Sequence, residues 1–240
     1  MLRSGSADCV RFPRMRHMQP NEEDFWEDLI TLIEDGKVIP VIGERAVTTA
    51  PDDTPLYPAL ARRLAERLPV PMDNLGGEVT LNRVAAEWMR ANGSRATLYT
   101  RLHRILRDEP AAPGSTLREL ASIPAFNLFL TTTFDRLTER AVNDARFGGA
   151  ERAQVLAFTP ESPVDLPERK RDLSTATIYH LLGRVSAAPE YVVWEEDALE
   201  FVCALHQHLP VMERLARDLK EHGLLTVSYT HLTLPTTPYV

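Results

Sequence analysis

The alternation of two apolar patterns along the chain is the feature that most limits its fold. Short apolar runs of strand length occur at 37–43, 127–132, 153–159, 177–183 and 190–194. Between them lie longer stretches in which apolar residues recur every three or four positions, the period of an amphipathic helix. Strands that alternate with helices build a parallel sheet with helices on both faces. We therefore predict an α/β, Rossmann-like fold.

Parts of this pattern give more detailed predictions. The first helix begins after Asn21, whose side chain can cap it, and ends at Gly36. Residues 55–123 contain only helical patterns and are too long for a simple crossover, so we predict a helical insertion between the first two strands. Pro40 within the first strand favours a sheet edge or a bulge. The apolar pair at 224–225 begins a last strand.

The two ends of the chain look foreign to this fold. Residues 1–17 are rich in arginine and lack periodicity, so they are a disordered arm or an over-reading upstream of a start at Met15 or Met18. The segment VSYTHLTLPT, residues 227–236, resembles a translated sequencing adapter; the alternative is a genuine Thr/Pro-rich tail. With the adapter interpretation, truncation removes the last strand or strands of the sheet. The expected division is then a domain at 18–225 and a foreign tail at 226–240.

Composition excludes several functional classes. The chain has 240 residues, a net charge of −7 and no basic patch, so we expect no nucleic-acid partner. No stretch approaches the ~20 apolar residues that span a bilayer, so we expect no membrane partner. The two cysteines, Cys9 and Cys203, are too few for a disulfide framework or a four-cysteine zinc site. A reducing, cytoplasmic location fits this composition best.

Three strand ends carry polar residues, and open parallel sheets bind ligands outside the carboxyl ends of their strands. The three corners are Gly43-Glu44-Arg45, Thr131-Thr132-Thr133-Phe134-Asp135 and His180-Leu181-Leu182-Gly183. The second corner follows an apolar run and precedes a helical pattern, which is the layout of a nucleotide site. In contrast, His206 and His208 stand two positions apart on a helix and point in different directions, which is not metal-ligand spacing.

Four segments resemble, in their order, the sirtuin-like domains, and more closely the zinc-less bacterial branch found in anti-phage defence proteins. That family has a Gly-Ala-Gly-x-Ser turn, then Thr-Thr-Asn-Tyr-Asp, then a strand ending in Leu-His-Gly, then an acidic helix start. The resemblance covers about residues 22–225 and implies NAD as the cofactor, no zinc, and NAD glycohydrolase activity in active members. The segments that carry it here are VIPVIGERAVTT, LTTTFDRLTERA, IYHLLGRV and YVVWEEDALEF.

The resemblance assigns the cofactor-binding positions. It places Gly43, Glu44 and Arg45 at the turn that holds the diphosphate, although Glu44 would bring a negative charge there, which Arg45 can offset. The alternative for Gly43 is a plain strand-to-helix turn. Asp135 matches the family aspartate and is expected to bind a ribose or carboxamide group; the alternative is a helix cap. The other cofactor-binding positions that the resemblance assigns are Thr132 and Gly183.

Two catalytic positions differ from the family pattern. Thr133 stands where active relatives carry asparagine, and one hydroxyl cannot replace both functions of an amide. Leu182 stands at the position of the catalytic histidine, and leucine cannot transfer a proton. His180 shares a strand face with Leu182, but its Cα lies ~6.6 Å away at ~3.3 Å per residue. His180 is therefore a weak substitute for the missing base; the alternative is a buried core histidine.

Three functions follow from these observations. The first is a catalytically degenerate domain that binds NAD or an ADP-ribose-like nucleotide. It would act as a sensor for a C-terminal effector that is missing here, or hold a homo-oligomer together. The second is an active NAD glycohydrolase that uses Asp135, Thr133 and His180. The third is a scaffold that binds no nucleotide, which Glu44 in the phosphate turn favours.

Overall fold

The protein is described by a computed structural model that covers residues 22–70, 77–168 and 176–227. Five strands form one parallel sheet in the order β5-β6-β4-β1-β7, and β2 and β3 form a separate antiparallel pair. The strands are β1 Val38–Ile42, β2 Thr48–Thr49, β3 Thr54–Pro55, β4 Leu128–Thr131, β5 Gln154–Ala157, β6 Thr177–His180 and β7 Gly223–Val227. The predicted α/β, Rossmann-like architecture is confirmed.

Eight α-helices accompany these strands in the described part of the chain, and each matches a helical pattern of the sequence. The insertion is divided: α2, α3 and α4 pack on one another, whereas α5 packs on α6 and β2. The helices are α1 Glu22–Glu34, α2 Leu56–Arg67, α3 Leu81–Arg90, α4 Arg95–Asp108, α5 Ser115–Ser122, α6 Leu137–Phe147, α7 Glu195–His208 and α8 Glu213–Glu221.

Alternate residues of the strands contribute to two separate apolar layers, because successive side chains point to opposite faces of a sheet. On β4, Phe129 joins the layer that contains α2–α6. Leu128 and Leu130 join the opposite layer, which α7 and α8 cover with Phe201 and Leu215. Helices therefore lie on both faces of the sheet. None of the described helices is long and apolar enough to cross a membrane.

Two local predictions are wrong. β1 lies inside the sheet and pairs with β7 along its whole length, so Pro40 marks neither an edge nor a bulge. The Gly43 N–H donates to Val227, so the nitrogen of Pro40 points toward β4, whose pairing with β1 starts only at Val41. Residues 190–194 form no strand, because Tyr191 makes a single bridge to Gly183 before α7 begins.

The strand that the apolar pair at 224–225 is predicted to begin exists as β7. Residues 224–225 lie within it, and it pairs with β1 through Val227. The predicted N-terminal extension, the Asn21 cap and residues 228–240 of the adapter-like tail lie outside the described residues. The short hairpin of β2 and β3 was not predicted, because two-residue strands leave no periodic signal in the sequence.

Candidate functional site

The carboxyl ends of three neighbouring strands lie in one row. Ile42 of β1 pairs with Thr131 of β4, and Thr131 pairs with His180 of β6. Backbone hydrogen bonds continue just past the strand ends, where Thr132 N–H donates to Ile42 and Leu181 N–H to Thr131. The register therefore brings together the three polar corners that the sequence singles out.

The three threonines of the β4 corner bond mainly to their own surroundings. The Thr131 hydroxyl lies 2.8 Å from the Thr133 hydroxyl and accepts the Thr133 backbone N–H at 3.1 Å. The hydroxyls of Thr131 and Thr132 also reach the Ile42 carbonyl, at 3.4 and 3.3 Å. Thr131 and Thr133 are buried, and Thr132 is half-buried. These side chains join the ends of β1 and β4 and shape the corner.

Tyr57 of α2 inserts into this corner, a contact that no sequence signal indicated. Its hydroxyl donates to Asp135 Oδ2 at 3.0 Å and accepts the Phe134 backbone N–H at 3.1 Å. Its ring packs edge-on against Phe134, with the ring centroids 5.2 Å apart. Burial, followed by the negative charges of Asp135 and Glu44, raises the pKa of Tyr57, so the phenol remains a hydrogen-bond donor.

Both carboxylate oxygens of Asp135 have internal partners. Oδ2 accepts from Tyr57, and Oδ1 accepts the backbone N–H of Leu137 at 2.8 Å, at the start of α6. Asp135 is 2% exposed, yet it contributes to the wall of a cavity. A carboxylate offers about four acceptor positions. Asp135 therefore supports the helix start and keeps lone pairs for a ligand in that cavity.

His180 is fully buried, and both its ring nitrogens are engaged. Nδ1 lies 2.8 Å from the Thr133 carbonyl, and Nε2 lies 3.1 Å from Glu139 Oε1. Arg184 binds the same Glu139 with a two-pronged contact at 2.6 and 2.7 Å. His180 thus belongs to a buried polar cluster with Glu139 and Arg184.

The electrostatics of this cluster centre on Glu139. Burial opposes ionisation of Glu139, but hydrogen bonds from His180 and Arg184, together with their charges, outweigh it and lower the pKa of Glu139. Glu139 therefore carries its negative charge inside the protein, where it pairs with the positive charge of Arg184 and lies within hydrogen-bond distance of His180.

Leu182 and Gly183 follow the end of β6 in a turn. Because β6 ends at His180, the expectation that His180 and Leu182 share a strand face is wrong. Leu182 packs, half-buried, in the apolar layer that α7 and α8 cover. Gly183 has φ of +80°, and a Cβ there would lie 2.2 Å from the Glu190 carbonyl oxygen. The turn therefore requires glycine for a structural reason.

The β1 corner lacks the helix that a phosphate turn needs. Gly43 is extended, with φ of −105°, and only a three-residue 3₁₀ turn, Glu44–Ala46, follows it. Desolvation of the Glu44 carboxyl by the surrounding protein, and then the charge of Asp135, raise the pKa of Glu44, although the residue keeps an exposed surface. Arg45 is exposed and bonds to no described side chain.

A cavity of about 540 Å³ opens beside Asp135, between α2, α4 and the start of α6. This volume lies within the range of small-molecule sites, roughly 300–1,000 Å³. Its apolar wall consists of Leu56, Ala59, Leu60, Leu106, Leu137 and Val185. Its ionisable residues are Arg63, His103, Arg107, Glu109, Asp135, Arg136 and Arg140.

The cavity does not include every residue that the sequence predicted. Of the predicted set, Asp135 alone lies on its wall, whereas Thr133 and His180 are buried and do not line the cavity. Gly43, Glu44, Arg45, Thr132 and Gly183 are not among its lining residues. The arginines of the cavity were missed, because in the sequence they are typical of solvent-facing helix positions. Within the described ranges, no three His, Cys, Asp or Glu side chains are grouped so that they could hold a metal ion.

No protein-family model matches this chain, and a comparison with curated proteins gives no significant match. The sirtuin-like resemblance therefore rests on the four sequence motifs and stays a prediction.

Proposed function

We propose that this chain binds a nucleotide of the NAD or ADP-ribose type without cleaving it, as the sensor or oligomerisation module of a larger bacterial defence or signalling protein. The observation that carries the proposal is the cavity of about 540 Å³ beside Asp135. It lies at the carboxyl edge of a parallel sheet, where open α/β folds bind ligands. The helices α2 and α4 enclose it from the other side.

The chemistry of the cavity wall supports a nucleotide. One part is apolar, formed by residues such as Leu60 and Leu106, and suits a flat base. Another part carries arginines that can bind phosphate oxygens. Asp135 also lines the cavity and can accept a hydrogen bond from a ribose hydroxyl.

The state of the predicted catalytic residues supports binding without cleavage. The Thr133 hydroxyl is committed to Thr131, and both ring nitrogens of His180 are committed within the protein. A general base must come within hydrogen-bond reach of the proton that it removes. His180, with no exposed surface, cannot do so in this conformation.

Calorimetric titration with NAD and with ADP-ribose tests the proposal. We expect both to bind the wild-type protein and Ala59→Trp to abolish binding, because the new ring fills the cavity. Ala86→Trp is the matched control, since Ala86 is half-buried on α3 and lies outside this cavity. Thermal unfolding of both variants checks that they fold. If neither ligand gives a heat of binding with the wild-type protein, the proposal is wrong and the chain is a scaffold that binds no nucleotide.

A second assay separates the sensor from the enzyme. We expect no nicotinamide release when the wild-type protein is incubated with NAD. The double variant Thr133→Asn with Leu182→His restores the family residues, but we expect it to stay inactive, because Leu182 packs in the apolar layer away from α2. Nicotinamide release by the wild type, lost in Asp135→Ala, would establish NAD glycohydrolase activity and contradict the proposal.

A further inference from the structure

We infer that the phosphates of the ligand bind Arg136 and Arg140 at the start of α6, and not the Gly43-Glu44-Arg45 turn after β1. The inference rests on the proposed function in one respect: it takes the ligand to be a nucleotide. It then specifies which residues bind the anionic part of that nucleotide.

The β1 corner disfavours an anion. The carboxyl groups of Glu44 and Asp135 are close enough for the charge of one to affect the ionisation of the other. A diphosphate placed there would add negative charge to a pair of carboxylates that already repel each other. The 3₁₀ turn Glu44–Ala46 is too short to offer the backbone donors and dipole of a helix start.

The start of α6 also has Asp135 nearby, but it adds two arginines that can bind an anion. Arg136 is exposed, and its guanidinium has no partner in the described part of the chain. Arg140 lies one helical turn further and donates through one nitrogen to the Ala111 carbonyl, at 2.6 Å. Residues four apart on a helix lie on the same side, so the two guanidinium groups can bind one ligand together. Planar guanidinium groups match phosphate oxygens in pairs.

The other arginines of the cavity are less available. Arg63 forms a salt bridge with Glu109, and Arg107 forms one with its neighbour Asp108. Arg136 and Arg140 are therefore the cavity arginines that are not paired with a carboxylate in the described structure. In a protein with a net charge of −7, this is a local site of positive charge.

The position of Arg136 is unfavourable for the helix itself. The N-terminus of a helix carries a partial positive charge, so a cation in the first turn costs roughly 0.3–1 kcal/mol. Arg136 is the N-cap residue of α6 and makes no capping hydrogen bond. Local rules broken without a structural gain are typical of functional sites. A bound anion would reverse this unfavourable interaction.

The two arginines also stand where two cavities meet. The cavity beside Asp135 and a second one of about 730 Å³ share Arg136, Arg140 and the 110–111 segment. The first has an apolar wall, and the second includes Asn143, Asp144 and Glu151. This arrangement fits an elongated ligand with a base in the first cavity, phosphates at the arginines, and a polar sugar in the second. ADP-ribose and NAD have this chemistry.

Calorimetry with three probes tests the inference: ADP-ribose, adenosine and inorganic pyrophosphate. We expect Arg136→Gln to weaken ADP-ribose and pyrophosphate binding about tenfold or more, because a charge-assisted hydrogen bond is lost. Adenosine has no phosphate, so its affinity should not change. Arg140→Gln should act in the same direction, with thermal unfolding measured alongside because Arg140 also bonds to Ala111.

Two further variants decide between the corners. Arg62→Gln is the matched control, because Arg62 is exposed on α2, outside the cavity, and should have no effect. If Arg45→Gln weakens the binding of ADP-ribose tenfold and Arg136→Gln does not weaken it, the inference is wrong and the proposed function stands. If pyrophosphate binds through Arg136 but neither ADP-ribose nor NAD binds, the proposed function is wrong and the anion site stands. If no probe binds the wild type, both are wrong.

Discussion

The segment 131–135 and the two arginines of the adjoining segment 136–140 differ in what their polar side chains bind. In the first segment, Thr131, Thr133 and Asp135 are buried and hydrogen-bonded within the protein. In the second, Arg136 has no described partner and Arg140 has one. Polar residues at a strand end therefore need not bind a ligand. In this molecule the buried segment builds the corner, and the uncommitted charges beside it are the better candidates for recognition.

The largest effect should come from Gly183, which, like the buried residues of 131–135, has a structural role and does not line the cavity. In Gly183→Ala a methyl group at φ of +80° would meet the Glu190 carbonyl, so we expect a loss of about 4 kcal/mol in the free energy of unfolding. Gly36→Ala is the control. Gly36 has φ of +66° but open space around it, so the loss should be about 1 kcal/mol. Equal losses in urea unfolding would show that the close backbone contact does not matter.

The next effect concerns Glu139. Glu139→Gln leaves Arg184 without its counter-charge and removes the carboxylate that contacts His180, and we expect about 3 kcal/mol less stability at pH 7. Because the pKa of Glu139 is lowered on folding, its contribution is present above its ordinary value of 4.5 and is lost as the pH falls below it. The variant should therefore lose less stability than the wild type between pH 5 and about 3. Parallel pH curves would contradict this assignment.

Tyr57→Phe should have an intermediate effect on the corner. It leaves an Asp135 oxygen and the Phe134 N–H without partners inside the protein, at a cost of about 2 kcal/mol. A double-mutant cycle with Asp135→Asn isolates the Tyr57–Asp135 contact. Additive losses in chemical denaturation would mean that the two side chains do not interact energetically.

The smallest effect should come from the β1 corner. The pKa of Glu44 is raised on folding, so ionised Glu44 destabilises the protein above its ordinary value of 4.5. Glu44→Gln should therefore add a few tenths of a kcal/mol at pH 7, since the residue is partly exposed to screening solvent. This gain should vanish below about pH 4. Stability that is lower at pH 7 in the variant would show that the Glu44 carboxylate makes a favourable contact.

The sequence predicted the elements well because their signals are local. Apolar periodicity and strand length located all five sheet strands and all eight described helices. Contacts between distant residues were not predictable: Tyr57 reaches Asp135 across 78 positions, and no pattern in either segment indicates it. The prediction from Pro40 was wrong because the effect of its missing N–H depends on which strands lie beside β1, and the sequence does not show that.

The candidate site was predictable in place but not in composition. The carboxyl edge of the sheet followed from the strand-corner-helix layout, and Asp135 followed from the resemblance to the sirtuin-like domains. Arg136 and Arg140 did not, because in the sequence they resemble ordinary exposed positions of a helix. Only the packing of α2 and α4 over α6 turns that surface into a cavity wall.

A crystal structure of the protein with ADP-ribose would show directly which corner binds the phosphates. We expect intact ADP-ribose in the cavity beside Asp135, with its phosphates bound by Arg136 and Arg140 and with Tyr57 still bonded to Asp135. Diphosphate density over Gly43 and Glu44 at the end of β1 would contradict it.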